Sequence, residues 1–147
     1  PALVGQGMTG VYFTANCTAE DKSSVLSLFK ACGETVEVPD EAAINAITAI
    51  SGSGPGYVFF MMEALEKAAQ NLGFTAEQAR TLVAQTFLGS AQLASQSPDS
   101  FGTLREKVTS KGGTTFAGLE QYRAAGVDEA IIKAAQAAMA RALELQG

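Results

Sequence analysis

The sequence predicts a mostly α-helical fold entered through a short β-α-β piece. Two observations carry this. From Asp40 onward apolar residues recur at helical spacing between recognisable caps and glycine stops, whereas residues 1–39 hold two short strand-like runs around one capped helix.

Residues 8–14, "MTGVYFT", read as the first strand. Thr18 followed by Asp21 makes a capping box for a helix that carries Val25, Leu28, Phe29 and Cys32 on one face, and Gly33 ends it. "ETVEVP" gives a second strand closed by Pro39. One β-α-β unit cannot cover both faces of its strands, so residues 1–39 read as the edge of a larger sheet whose remainder is not in this chain. The start at Pro1, without a methionine, fits a piece of a longer protein.

Asp40 is a good N-cap for a helix over 41–50. "SGSGPG" at 51–56 should break that helix, with Pro55 opening the next one, Tyr57 to Leu72, whose start "YVFFMM" is apolar on all sides and predicts burial all round. Gly73 stops it. Thr75 with Gln78 caps a long helix to about Ser97, ahead of Pro98. A short helix from Phe101 to Val108, a loop from Thr109 to Gly113, a helix to Ala125 stopped by Gly126, and a last helix from Asp128 to about Leu145 complete the chain. Alanine-rich faces such as "AAQAAMARALE" permit close helix contact, and a domain of this size with such faces favours a homodimer over a monomer.

Composition excludes several functions. With 47% hydrophobic and 17% charged residues the 147-residue chain belongs among folded proteins, and a net charge of −5 argues against a nucleic-acid or anionic-membrane surface. The absence of histidine removes the serine triad, the cysteine–histidine pair and histidine-containing metal sites. Cys17 and Cys32 read as buried free thiols, which suits a reducing cytoplasmic setting. No apolar run approaches the roughly 20 residues of a membrane span. Glu63, Glu66, Lys67, Glu77 and Arg80 lie at helical spacing and read as a solvated face.

Two glycine segments invite a ligand. "SGSGPG" lacks the spacing of a dinucleotide loop and follows a helix where that fingerprint needs a strand, so it reads as a bent connection. "TSKGGTT" at 109–115 is no phosphate loop of the ATP-binding kind, because its lysine precedes the glycines. It places Gly112, Gly113 and the hydroxyls of Ser110, Thr114 and Thr115 at a helix start, which suits a small carboxylate. A plain helix cap by Thr114 or Thr115 would account for the same residues.

"REKVTSKGGTTFAGLEQ" at 105–121 resembles the signature of pyrroline-5-carboxylate reductases, and "PALVGQGMT" at 1–9 and "ITAISGSGPGYVFFMMEAL" at 47–65 resemble the family in the same order. The resemblance implies the C-terminal edge of a Rossmann-type nucleotide-binding domain at 1–39 and an all-helical dimerisation and substrate-binding domain at 40–147. It implies reduction of 1-pyrroline-5-carboxylate to L-proline with NADPH or NADH, held mainly by an N-terminal domain absent here, and no metal. Without that domain the chain should be inactive. The substrate carboxylate maps to Ser110, Gly112, Gly113 and Thr114, and the hydroxyl approaching the ring nitrogen maps to Thr115, the candidate catalytic residue. Many members carry a proline or small residue where Lys111 stands, and Lys111 is expected to point to solvent. The partners implied are the small-molecule substrate and a second copy of the chain, with a higher oligomer left open and with no nucleic acid and no membrane. The rival readings are a β-hydroxyacid dehydrogenase, whose catalytic lysine would have to come from Lys67, Lys107 or Lys111, and a non-catalytic dimerisation module.

Overall fold

The structure, a computed structural model of the chain, describes residues 1–145. The expected helical segment 40–147 thus ends with two residues, 146 and 147, that lie outside the described residues. The fold is mostly helical with a two-stranded parallel sheet near the start. It divides into two compact units, one comprising Pro1–Gly56 with the chain from Lys133 onward, the other Tyr57–Ile132.

In the first unit, a short 3-10 turn (Ala2–Val4) precedes β1 (Gly7–Val11), α1 (Ala19–Lys30) and β2 (Gly33–Glu37). The strands pair in parallel from Gly7↔Gly33 to Val11↔Glu37. The expected first strand, 8–14, is therefore shorter, because β2 ends at Glu37 and residues beyond Val11 have no strand to pair with. The capping box of α1 forms as expected: Thr18 Oγ accepts from Asp21 N at 3.1 Å, and the Asp21 carboxylate accepts from Thr18 N at 2.9 Å. Lys22 ties α1 to β2 through Glu37 at 3.2 Å and lies over the Phe13 ring. Ile47 of α2 (Ala43–Ile47) packs on the backbone of Gly10, which joins the sheet to the first helical segment.

The "SGSGPG" segment departs from expectation. The chain does not leave the helical path there but widens into one π turn, Thr48–Gly52, in which Ser53 N donates to Thr48 O at 2.8 Å. The cause is local. Thr48 and Ser51 hydroxyls donate to the Ile44 and Ile47 carbonyls, at 2.9 and 3.2 Å, and Pro55 has no N–H to donate to the carbonyl four residues back. Pro55 then sits in the first turn of α3 (Gly54–Asn71), where its missing N–H costs nothing.

The second unit holds α3 from Tyr57, α4 (Ala76–Gln96), α5 (Phe101–Lys107), α6 (Thr114–Ala124) and the first part of α7 (Val127–Glu144). Thr75 and Gln78 form the expected capping box of α4, with bonds of 3.0 and 3.2 Å. Among the described residues the buried positions are Val11, Asn45, Ala49, Ala79 and Val83, and none of them is large. The expected all-round burial of α3 does not occur: Phe59 is 65% exposed and Phe60 73%. Its apolar surface exceeds what the rest of the chain covers. Cys32 is likewise exposed rather than buried, since it lies in the turn between α1 and β2, while Cys17 is half-buried. Glu63 and Lys67 form an exposed ion pair at 2.7 Å, as a solvated face requires.

Candidate active-site loop

The loop Thr109–Gly113 is held from both sides. On the α5 side, Ser100 caps the helix by accepting from Thr103 N at 3.1 Å, and Asp99 reaches along the helix to Lys107 in its last turn. The bond from Lys107, with a second from Ser97, keeps the Asp99 carboxyl below the usual carboxylate range. Beyond α5 the backbone N–H of Thr109 donates to Glu106 O at 2.9 Å and its hydroxyl donates to Arg105 O at 2.6 Å.

The next four residues make a tight turn, with Gly113 N donating to Ser110 O at 3.0 Å. Gly112, at the third position, has φ of 71°, the left-handed region that such a turn demands and that glycine occupies without steric cost. On the α6 side Gly113 is the N-cap, its carbonyl accepting from Ala117 N at 3.1 Å.

Neither threonine caps α6. The N-cap is a glycine with no side-chain bond, and among the described residues the hydroxyls of Ser110, Thr114 and Thr115 have no hydrogen-bond partner. The simple-cap account of these residues is therefore not the one realised. The first turn of an eleven-residue helix is left with its amides uncapped by any side chain and with its positive dipole end open. Ser110, Lys111, Gly112, Thr114 and Thr115 are exposed and Gly113 is half-buried. All five substrate-site positions named from the sequence thus fall in one turn and the first helical turn after it. Amide donors, three free hydroxyls and an adjacent cation can receive a small carboxylate.

Sequence reasoning passed over Thr109 and the Asp99–Lys107 pair. The first had a signal, a threonine four residues after Arg105, the spacing at which its hydroxyl reaches back to a helical carbonyl. The second pairs residues eight apart and had none.

The lysines considered for a dehydrogenase mechanism are engaged elsewhere in two cases, Lys67 with Glu63 and Lys107 with Asp99. Two segments read for dinucleotide phosphates are otherwise engaged. The N-terminus of α1 is closed by its own capping box and carries Glu20 and Asp21 in the first turn, and the glycines of "SGSGPG" lie within helical turns. Among the described residues no group of three or more His, Cys, Asp or Glu side chains comes together to hold a metal ion. No helix among them is long and apolar enough to cross a membrane.

Residues 41–145 match the family model described as pyrroline-5-carboxylate reductase dimerisation. A pyrroline-5-carboxylate reductase of Haemophilus influenzae is 42% identical over 147 residues, covering 99% of this chain and 54% of the relative. The solved structure of a pyrroline-5-carboxylate reductase from Coxiella burnetii superposes with a TM-score of 0.94 at 41% identity, over 97% of this chain and 53% of that one. A Plasmodium falciparum pyrroline carboxylate reductase solved with NADP bound gives 0.85 at 31% identity, over 97% and 57%. The chain spans about half the length of the curated relatives it matches. With the glycine–threonine loop at the mouth of α6 and the family model covering the helices from residue 41 onward, this chain belongs to the pyrroline-5-carboxylate reductase family.

Proposed function

We propose that the chain is the substrate-binding and dimer-forming part of an enzyme that reduces the C=N bond of 1-pyrroline-5-carboxylate to give L-proline, with NADPH or NADH as the hydride source. The observation that carries this is the open amide cradle from Ser110 to Thr115, free of any side-chain cap, in a member of this family. The NADP bound in the Plasmodium falciparum relative supports the cofactor class.

The residues here act on the substrate. Amides of the turn and of the first turn of α6, with the hydroxyls of Ser110 and Thr114, hold the carboxylate. The Thr115 hydroxyl faces the ring nitrogen and orients it by a hydrogen bond, directly or through a water. A protonated imine is already a good hydride acceptor, so the catalytic demand is chiefly for position and orientation. Lys111 stays in solvent beside the carboxylate. The dinucleotide is held by a further part of the protein, and the chain alone is inactive.

The division lies between residues 39 and 40, the first segment belonging to a nucleotide-binding domain and the second to the helical domain. The start of the family match at residue 41 supports it. The working form is a homodimer, in the cytoplasm. Phe59 and Phe60 of α3 stand 65% and 73% exposed in the single chain. A second copy seated on that face would cover them.

An NMR titration of the chain with L-proline tests the reading. Saturable shifts at the amides of Gly112, Gly113 and Thr115 are expected. Unmoved amides at high proline, with the dimer present, would remove the cradle from substrate binding.

A further inference from the structure

Between α5 and the first turn of α6 the loop has few attachments. Its residues Ser110 to Gly113 are bonded within their own turn, and Gly113 passes the chain on to α6 through Ala117. On the other side Thr109 alone among these residues bonds back to α5, and it does so twice, by N–H to Glu106 O and by hydroxyl to Arg105 O. Thr109 is half-buried, unlike its exposed neighbours Val108 and Ser110. Two residues before it, Lys107 is clamped to Asp99 at the opposite end of the same helix.

We infer that Thr109 is a positioning residue: its hydroxyl, donating to the Arg105 carbonyl, sets where the Ser110–Gly113 turn stands and so aims the carboxylate cradle. The inference rests on the reading of that turn as the substrate-carboxylate site. Thr109 itself need not touch the substrate. With a carbonyl of the last turn of α5 as acceptor, the hydroxyl ties the first residue of the loop to the end of the helix just where the chain turns away. Without it, one N–H bond remains, and the turn can pivot about Thr109 while α5 and α6 stay folded. Such a pivot loosens the grip on the carboxylate and leaves the oriented hydroxyl of Thr115, on α6, in place. Binding should suffer more than turnover.

The test is steady-state kinetics in the full-length reductase that contains this segment. Thr109→Val keeps the branched shape and removes the hydroxyl, and Thr109→Ser keeps the hydroxyl. Thr109→Val is expected to raise KM for pyrroline-5-carboxylate by roughly two- to tenfold, the range of one net hydrogen bond, with kcat within about twofold of the parent. Thr109→Ser should restore KM. Gly113→Ala, which disturbs the cradle itself, serves as the control. An unchanged KM in Thr109→Val beside a raised KM in Gly113→Ala overturns the inference and leaves the cradle standing. An unchanged KM in both overturns the cradle and the inference together. A Thr109→Ser variant as impaired as Thr109→Val also overturns it, since the hydroxyl is then not what matters. If Thr109→Val does not fold, side-chain couplings of Thr109 in the unsubstituted chain decide: one fixed χ1 rotamer is expected, and an averaged one overturns the inference.

Discussion

The hydroxyl of Ser110 lies against the α-carbon of Gly113, on the spot that a side chain there would need. A Cβ built on Gly113 overlaps Ser110 Oγ and comes within 3.2 Å of the Ser110 carbonyl oxygen. The turn is thus closed twice, by the Gly113 N–H to Ser110 O bond and by this packing.

Gly113→Ala should therefore displace Ser110 and distort the cradle. Gly113 has an ordinary negative φ, −78°, so the backbone tolerates the new residue. The expected outcome is a three- to thirtyfold weaker grip on proline or substrate, about one or two hydrogen bonds, with little change in stability. Proline titration alongside a denaturant curve separates the two.

Gly112→Ala should behave in the opposite way. Nothing lies within 4 Å of a Cβ built there, so the cost comes from the left-handed backbone alone. A loss of about 1–2 kcal/mol is expected from that conformation, read as a lower denaturant midpoint at unchanged slope.

Thr115→Ala should lower kcat of the complete enzyme by a factor of about 10 to 1,000, as the loss of one or two oriented hydrogen bonds at the reacting nitrogen. Because Thr115 is not the cap of α6, stability should stay within about 0.5 kcal/mol of the parent. Unchanged turnover would take Thr115 out of the mechanism.

The Asp99–Lys107 pair gives a pH prediction. The Asp99 carboxyl titrates below its ordinary range, first because Lys107 bonds to it and then because Ser97 does. A group with a depressed folded pKa stabilises above its unfolded value, roughly 3.9 for aspartate, and the contribution disappears as pH falls through the lower folded value. Between pH 7 and about 4.5 α5 should hold unchanged, and it should loosen only below that. Carboxyl-carbon NMR should place the Asp99 titration under the ordinary value, and Lys107→Met should move it upward.

Phe60 predicts the assembly. It is 73% exposed in one chain and sits on a helix with Phe59 exposed beside it. If a second copy covers this face, Phe60→Ser should weaken self-association by about tenfold or more, the burial of one aromatic side chain, as sedimentation equilibrium would show. An association constant equal to the parent's would place the interface elsewhere.

Much of this was legible in local sequence. Thr18 with Asp21 and Thr75 with Gln78 marked two helix starts, and Gly73 and Gly126 marked two stops, both found with positive φ. Such signals act within one turn of chain, so they survive whatever the tertiary setting. The boundaries of α4 to α7 lie within a residue or two of those expected, and the expected loop separates α5 from α6.

Other features were not legible, one because its partner lies far along the chain and two because local bonds had several ways to form. The first strand stops at Val11 because β2 stops at Glu37, and no residue of "MTGVYFT" carries that information. The "SGSGPG" segment is a π turn for a local reason instead, two hydroxyls bonded to carbonyls four residues back and a proline with no N–H to donate, a balance that glycine content alone misreads as a break. Whether Thr114 or Thr115 caps α6 was open until Gly113 was seen to occupy the N-cap with no side-chain bond. Sequence by itself determined the helices, their ends and the chemistry collected in one loop, since each rests on contacts a few residues apart. The tertiary structure decided where the paired strands end and how much apolar surface one chain leaves uncovered. Those outcomes depend on which groups meet in space, and spacing along the chain does not contain that.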